Sequence, residues 1–379
     1  MTKPSIDPST LGTATRSQIR KDEHIELCHR GDVGLEGDRG LWSEVTLIHH
    51  AMPELNLGEM SLKTTIWGGA EIDAPLLLTG MTGGTDRASI VNRALSQVCE
   101  HLNIPFGLGS QRIMTSDPSV AHSFQVRRYA PRVNLISNIG VNQARELGWE
   151  AIARLCDSVE SNALAIHLNP AMEMIQPGDE ADREFRGGYS AIADLVKHLK
   201  DRPIIVKECG CGLSPRVITR LINLGVEYVD VSGVGGTSWV KLEALRATKD
   251  RGHSREARLG MLLADWGIPT AAAVMLASPL PVKVIASGGI TNALEATKAL
   301  ALGADLVGLA RPALQVFLDA LESGDEDEAI EETIAFLDEL IYGIRCITAL
   351  QGANSHHRLR HQQLVIGPRL ESWRRACEV

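Results

Sequence analysis

From about residue 71 onward, short apolar segments alternate with longer segments whose apolar residues recur at helical spacing. Each short segment is about as long as a strand buried on both faces, and a polar or Gly-rich break follows it. Residue types typical of helix N-termini, such as Ser214-Pro215 and Thr291-Asn292, precede the helical segments. The eight strand segments are IDAPLLLTG (72–80), NIPFGLGS (103–110), VNLISNIG (133–140), NALAIHLN (162–169), PIIVKECG (203–210), VEYVDVSG (226–233), VKVIASGG (282–289) and ADLVGLAR (304–311).

Eight strand–helix units in one chain predict a closed (β/α)8 TIM barrel, and an open doubly wound sheet is the alternative. The barrel is expected over 71–350, between an N-terminal extension (1–70) and a C-terminal tail (351–379). Within it, the acidic segment 323–340 predicts a late amphipathic helix with a solvated face.

The charge and the cysteines narrow the classes of function. A net charge of −9 argues against a general nucleic-acid binder, because neutralising phosphates needs clustered Lys and Arg. The seven cysteines include no CxxC pair and no zinc-binding spacing, which is typical of reduced thiols in the cytosol. The polar start differs from a signal peptide, and no apolar run reaches about 18 residues. We therefore expect a cytoplasmic protein that contacts neither nucleic acid nor membrane.

Polar side chains and glycines stand where the predicted strands end. In a barrel all these ends meet at one rim, where barrel enzymes carry out their chemistry. The residues at these ends are Thr82, Ser110, Arg112, Asn138, His167, Asn169, Lys207, Ser232, Gly288, Gly289, Ala310 and Arg311. Their convergence predicts an active site.

Three late loops have the composition of a phosphate cradle. ASGGI (286–290) and GLARP (308–312) follow the last two strands, and SGVGGTSW (232–239) adds the hydroxyls of Thr237 and Ser238. Glycines let backbone N–H groups approach an anion, and a helix N-terminus adds partial positive charge. The loops predict a cofactor that carries a phosphate. Lys207 suits a flavin, because a fixed cation beside the pyrimidine ring favours its anionic reduced form.

The segment HLNPAMEMIQPGD (167–179) concentrates ligating groups after one strand. It carries His167, Asn169, Glu173, Gln176 and Asp179, a set that indicates a metal or anion site. Met172 lies in the middle of this set, and its thioether is a poor hydrogen-bonding group that cannot carry a proton.

Over nearly its whole length the chain resembles the type 2, FMN-dependent isopentenyl-diphosphate isomerases. The resemblance is carried, in matching order and spacing, by RKDEHIELC (20–28), MTGG (81–84), GLGSQR (107–112), SNIG (137–140), HLNP (167–170), VKECGCGLS (206–214), GGTSW (235–239), WGIPT (266–270), ASGGI (286–290) and GADLVGLARP (303–312). The flavin-phosphate motifs are shared with other FMN barrels, whereas the RKxxH, GSQR and HLNP…E motifs are specific to this family.

The resemblance implies an enzyme that interconverts isopentenyl diphosphate and dimethylallyl diphosphate in isoprenoid biosynthesis. It implies reduced FMN, primed by NADPH, with Mg2+ on the diphosphate, in a homo-oligomer of four or eight subunits. The residues that it assigns to FMN are Thr82, Ser110, Asn138, Lys207, Ser232 and Thr237, with the backbone at Gly288, Gly289, Ala310 and Arg311. Those that it assigns to the diphosphate are Arg20, Lys21, His24, Arg112, His167 and Asn169. Glu173 is assigned to Mg2+, and the catalytic positions are Lys207, His167 and Met172. The assignment sets three fixed cations and a pair of His against a trianion.

Met172 departs from the family pattern, which has a Gln implicated in proton relay at this position. Three interpretations remain open. The flavin alone carries the proton transfers, or Gln176 or Gln111 substitutes for the missing amide, or the enzyme performs different chemistry on another prenyl diphosphate.

Two other classes are weaker alternatives. A 2-hydroxy-acid oxidase needs a His base and paired Arg at the late strand ends, where this chain has only Arg311 and no His. A binding protein without activity is disfavoured, because every cofactor and diphosphate ligand implied by the resemblance is retained.

Overall fold

The computed structural model describes residues 13–176, 181–252 and 254–377, and its centre is a closed barrel of eight parallel strands. The barrel strands are β4 (Leu76–Leu78), β5 (Phe106–Gly107), β6 (Leu135–Gly140), β7 (Ala163–Leu168), β8 (Ile204–Glu208), β9 (Tyr228–Asp230), β10 (Lys283–Ser287) and β11 (Leu306–Leu309). One strand falls within each of the eight predicted segments. The ring closes where β11 pairs with β4, with Val307 opposite Leu76 and Leu309 opposite Leu78. The predicted barrel is therefore confirmed, and the open sheet is excluded.

Helices surround the barrel, and several begin at residues that cap them. Thr85, Ser214 and Asn292 each accept a backbone N–H of the first turn that follows. The helices after α1 (Thr13–Arg30) are α2 (Asp86–His101), α3 (Arg112–Ser116), α4 (Val141–Ser158), α5 (Pro170–Ile175), α6 (Gly188–His198), α7 (Pro215–Ile222), α8 (Trp239–Arg251), α9 (Arg255–Leu262), α10 (Thr270–Ala277), α11 (Ala293–Ala301), α12 (Arg311–Ser323), α13 (Glu326–Leu350), α14 (His356–Leu359) and α15 (Pro368–Cys377). Both helix starts predicted at Ser214 and Asn292 are confirmed.

The acidic segment forms most of α13, as predicted. A capping box joins Asp325 and Glu328 at its start. Its apolar face buries Leu337, Ile341 and Ile344 against the barrel helices, while its acidic first turn stays outside.

The end of the barrel opposite the strand C-termini is filled by a hairpin. β2 (Thr64–Thr65) pairs with β3 (Glu71–Ile72), and Trp67 between them joins the apolar cluster inside the barrel. Trp67 Nε1 donates to Asn134 Oδ1 at 2.6 Å, just before β6 begins. This end of the barrel is therefore closed by apolar packing, and the predicted site lies at the opposite rim.

The N-terminal extension and the C-terminal tail pair with each other. β1 (Val45–Leu47) runs antiparallel to β12 (Leu364–Ile366). Upstream of β1, α1 lies over the rim and packs on α12, α2 and α3. The extension thereby places a helix at the rim, where the predicted site lies.

The seven cysteines all have free thiols in the structure, as expected. No helix in the described ranges combines the length and the apolar character needed to cross a membrane.

His356, at the start of α14, is buried without hydrogen-bonding partners. Its side chain is 3% exposed, and neither ring nitrogen has a partner among the described residues. Its ring lies 3.9 Å from that of His357. Burial, with help from His357 and Arg360, lowers the pKa of His356 from 6.5 to about 3. The imidazole is therefore neutral in the folded protein.

We predict that His356 makes the fold sensitive to mild acid. Because the pKa is lowered in the folded state, its stability is fully present above about pH 6.5 and is lost as pH falls toward 3. The loss between pH 6.5 and pH 5 is about 2 kcal/mol for this group. His356→Phe keeps a ring against His357 and removes the titration. Urea unfolding at both pH values should show a pH dependence smaller by about this amount, and an unchanged difference would contradict the assignment.

Candidate functional site

Two adjoining cavities open at the rim formed by the C-terminal ends of the barrel strands. The loop cavity, of about 310 Å³, is lined mainly by the loops after β9, β10 and β11. The cation cavity, of about 140 Å³, is lined by α1, α5 and the ends of β6 and β7. Residues that line both are His24, Gly80, Met81, Thr82, Lys207, Cys209 and Trp239. The two cavities therefore form one site with two compartments.

Glycines shape the loop cavity because no other residue fits. Gly288 and Gly289 adopt φ angles of 105° and 79°, in the region that favours glycine. A Cβ at Gly288 would overlap the carbonyl oxygen of Gly233, and one at Gly289 would overlap the backbone of Gly235. The loops can pack together only as glycines, which leaves bare backbone facing the cavity.

The N-terminus of α12 adds free donors to the same cavity. Its N-cap, Ala310, makes no side-chain hydrogen bond, so the first N–H groups of the helix lack a cap from that residue. A helix N-terminus beside close-packed glycine loops is a suitable seat for a phosphate. The residues present fit the phosphate of an FMN.

Two hydroxyl groups beside the loops suit a polar ligand. Thr82 lines both cavities, and its Oγ1 is buried without a partner among the described residues. Ser232 has a φ of 37°, which is strained for a residue with a Cβ. Its carbonyl oxygen accepts from Gly210 N and Gly212 N and so ties two rim loops together. Thr237 also lines the loop cavity.

Lys207 stands at the junction of the cavities as a cation. Its side chain is 12% exposed, with Nζ 2.6 Å from Glu208 O and 4.0 Å from Asp230 Oδ2. Burial lowers the pKa of Lys207, but the negative potential of Cys209, Asp230 and Glu208 outweighs burial and raises it. The Cys209 thiol has a pKa of about 11 and is neutral at pH 7, so we attribute the effect chiefly to Asp230.

The predicted basic residues lie in the cation cavity, and the pKa of Lys21 among them is lowered. Arg112, the first residue of α3, lines this cavity. Lys21 Nζ donates to Ser110 O at 2.9 Å. Burial, followed by the charge of Arg20, lowers the pKa of Lys21 to about 7. Lys21 therefore titrates near neutral pH, whereas the sequence analysis treats it as a fixed cation.

His167 is held neutral in a single tautomer. Asn138 Nδ2 donates to Leu108 O at 3.0 Å, which turns Asn138 Oδ1 toward His167 Nδ1 at 2.8 Å. Nδ1 therefore carries the proton, and Nε2 is an acceptor. Burial, with the charges of Lys207, Lys21 and Arg112, lowers the pKa of His167 to about 3. In this state His167 offers no positive charge to an anion.

Glu173 and Met172 lie side by side in the cation cavity. Glu173 accepts from Asn169 Nδ2 at 2.9 Å and from Asp182 N at 2.8 Å. Met172 Sδ lies 3.8 Å from the same amide nitrogen. No group of three or more His, Cys, Asp or Glu residues forms a metal cluster within the described ranges. Glu173 could therefore offer a cation one carboxylate, and Asp179 lies outside those ranges.

A family comparison and individual relatives place the chain in the same family. The model of the FMN-dependent dehydrogenases matches residues 20–329. An isopentenyl-diphosphate delta-isomerase of Nostoc is 38% identical over 83% of this chain and 89% of its own. That of Pyrococcus furiosus is 37% identical over 96% and 90%, and that of Ignicoccus hospitalis 38% over 93% and 95%. The chain belongs to the isopentenyl-diphosphate delta-isomerase family of FMN-dependent barrels.

Solved structures with little sequence identity share the fold. A mandelate oxidase variant aligns with a TM-score of 0.58 at 14% identity, over 94% of this chain and all of that one (100%). A flavocytochrome b2 variant aligns with a TM-score of 0.61 at 15% identity, over 93% and 83%. At this level of identity, the two alignments show only that the barrel fold is shared.

In this member of the isomerase family, each residue assigned by the resemblance lines one or both cavities. The loop cavity contains Lys207, Ser232, Thr237, Gly288, Gly289, Ala310 and Arg311. The cation cavity contains Arg20, Lys21, Ser110, Arg112, Asn138, His167, Asn169, Met172 and Glu173, and His24, Thr82 and Lys207 line both. Ser110 and Asn138, which the resemblance assigns to FMN, line the cation cavity. Their individual roles stay predictions.

A buried carboxylate that the sequence analysis missed anchors one wall. Glu243 is 1% exposed and accepts from His24 Nε2 at 3.0 Å, Arg246 Nη1 at 2.6 Å and Gln176 Nε2 at 3.3 Å. Burial raises its pKa, but His24 and Arg246 outweigh burial and bring it to about 2. The available signal was the spacing of Glu243 and Arg246 on the helix that follows GGTSW. Trp239 of that motif meets the His24 ring edge-on at 5.3 Å.

We predict that anion binding in the cation cavity is coupled to the titration of Lys21. A bound polyphosphate favours the charged amine, so binding takes up a proton, and affinity falls above about pH 7 as the free amine loses it. Affinity for inorganic pyrophosphate should fall by up to about tenfold per pH unit between pH 7.5 and 9. Titration calorimetry in buffers of different ionisation enthalpy measures both quantities.

Two variants serve as controls for this prediction. Lys21→Arg keeps the charge at every pH and should flatten the dependence, because an arginine does not titrate in this range. Arg112→Ala should weaken pyrophosphate by about 1.5–3 kcal/mol at each pH. A pH dependence in Lys21→Arg equal to that of the wild type would show that another group titrates.

Proposed function

We propose that this protein interconverts isopentenyl diphosphate and dimethylallyl diphosphate, with reduced FMN in the loop cavity and the diphosphate in the cation cavity. The observation that carries the proposal is the shared wall of the two cavities. A phosphate seat on one side and a basic pocket on the other meet at Lys207, Trp239 and Met81. A planar cofactor and an alkenyl diphosphate can therefore face each other there. The relatives named as isomerases support the same substrate pair.

The reaction adds a proton to an unactivated alkene and removes one from a neighbouring carbon. A side-chain acid of ordinary pKa is too weak for the first step. Reduced flavin, when bound, supplies an electron-rich ring that stabilises a cationic centre and exchanges a proton. The protein holds the charged Lys207 at the junction, which favours the anionic reduced ring. Met81 and Trp239 add apolar surface at the same place, which would help to exclude water once both ligands are bound.

Other side chains are positioned to bind the charged end of the substrate. Arg20 and Arg112 contribute guanidinium groups, and the bound anion favours the charged form of Lys21. Glu173 can hold Mg2+ only together with phosphate oxygens or waters, because a hard cation takes about six oxygen ligands. NADPH as the source of reducing equivalents and a tetramer or octamer as the assembly belong to the proposal on the basis of the family resemblance.

The oxidase alternative lacks support at the late strand ends. Gly288, Gly289 and Ala310 offer backbone there, and the Arg311 side chain donates to Cys28 O and Gly31 O of the extension. At these strand ends, the described residues therefore offer a carboxylate no pair of guanidinium groups beside the predicted flavin site.

The contacts distinguish between the two glutamines that could replace the missing amide. Gln111 lines neither cavity, and its Oε1 accepts from Asn138 N at 3.0 Å, so its side chain has a structural task. Gln176 lies one helical turn after Met172, is 2% exposed and lines the cation cavity. Its Nε2 faces the Glu243 carboxylate, and its Oε1 has no partner among the described residues. Gln176 is thus the better candidate.

We predict that Gln176→Leu slows isomerisation more than Met172→Leu does. A positioned polar group that takes part in proton transfer typically raises a rate about 100- to 10,000-fold. The loss in Gln176→Leu should be smaller than this, because the flavin carries part of the proton transfer. The assay follows isopentenyl diphosphate by NMR with anaerobically reduced protein, and Glu173→Gln is the metal-deficient control. Equal rates for Gln176→Leu and Met172→Leu would show that Gln176 does not compensate for Met172.

Met172→Gln tests the remaining interpretations. If a relay has been lost, this change raises the isomerisation rate. If the pocket has been adapted to another prenyl diphosphate, isomerisation stays negligible and the native reaction suffers, because an amide is buried without a partner. A wild type that turns over rapidly and a variant that is no faster would assign the proton transfers to the flavin alone.

A further inference from the structure

Helix α1 forms part of the wall of both cavities. Arg20 and Lys21 line the cation cavity, Ile25 and Cys28 line the loop cavity, and His24 lines both. One helix therefore touches both predicted ligands. Any change in its position alters both compartments together.

The C-terminal end of α1 is fastened to α12 through backbone carbonyls. Arg311 Nε donates to Cys28 O at 2.8 Å, and Arg311 Nη2 donates to Gly31 O at 3.1 Å. One turn later on α12, Gln315 Nε2 donates to His29 O at 3.0 Å. The last carbonyls of a helix need partners from outside it, and a cation there also complements the helix dipole.

Arg311 is also the first residue of α12, whose N-terminus lines the loop cavity. Its backbone belongs to the predicted phosphate seat, while its side chain holds α1. A ligand bound at the start of α12 therefore contacts the same residue whose guanidinium holds α1. Through α1, this connection reaches Arg20 and Lys21 in the other compartment.

We propose that Arg311 is a positioning residue that couples occupancy of the loop cavity to anion affinity in the cation cavity. The inference rests on the proposed function, which assigns FMN to the first cavity and a diphosphate to the second. With FMN in the loop cavity, the start of α12 is stabilised, Arg311 holds α1 more firmly from there, and the basic residues of α1 are kept in place for the anion. Linkage makes the effect reciprocal, so the anion strengthens FMN binding by the same factor.

The test compares the affinity for inorganic pyrophosphate of the full-length protein with and without FMN. Titration calorimetry gives the ratio of the two dissociation constants, and for the wild type we expect a factor of about 5–150 in favour of the loaded protein. Arg311→Met keeps the backbone N–H of α12 and removes both contacts to α1, so its ratio should fall toward unity. Arg311→Lys, which can reach one carbonyl, should lie between the two.

The ratio of the two dissociation constants distinguishes loss of coupling from a general loss of pyrophosphate affinity. Each variant is compared with itself, with and without FMN. Arg127→Met is the matched control, since Arg127 also donates to backbone carbonyls, those of Pro131, Val133 and Glu160, away from both cavities. Its ratio should equal that of the wild type. If Arg311→Met does not fold, Gln315→Met decides, because it removes only the contact to His29 O.

A wild-type ratio of unity with both ligands bound would overturn the coupling and leave the proposed function intact. An unchanged ratio in Arg311→Met, or in Gln315→Met where that variant decides, would likewise overturn it. A wild type that binds neither FMN nor pyrophosphate would instead contradict the proposed function itself.

Discussion

Pairing of β11 with β4 closes the ring of eight parallel strands, and the positions of the candidate residues at the strand ends depend on that closure. Parallel strands in a closed barrel end on one rim, so residues far apart in the chain, such as Thr82 and Lys207, line the same cavity. At the opposite end, Trp67 and its hairpin seal the barrel with apolar packing. Among the described residues, the open rim is thus where the fold brings the predicted cofactor and substrate sites together.

Burial at that rim sets the charges that a ligand encounters. His167 is neutral because it lies among Lys207, Lys21 and Arg112 in a desolvated pocket, and Lys21 itself is only partly charged at neutral pH. A multivalent anion reverses this balance, because its charge compensates the positive groups that lower these pKa values. We therefore expect binding of a diphosphate to change the protonation of the pocket. The charges of Lys21 and His167 then depend on whether an anion is bound.

Local patterns predicted the architecture well. The apolar segments marked all eight strands, Ser214 and Asn292 marked helix starts, and the glycines at 288 and 289 marked loops that no larger residue fits. Features that depend on long-range contacts were beyond such patterns. Glu243 meets His24 across 219 residues, and β1 pairs with β12 at the other end of the chain. The lowered pKa of Lys21 could not be read from the sequence, because it comes from burial created by folding.

The central claim is that the two compartments bring a reduced flavin and a prenyl diphosphate together for proton transfer without net oxidation. The most direct measurement is the number of turnovers per flavin under anaerobic conditions in D2O. We expect many molecules of dimethylallyl diphosphate per flavin reduced once, deuterium in the product, and an absorption spectrum that stays that of reduced flavin. Product limited to one equivalent per flavin, or formed with flavin oxidation, would contradict the account.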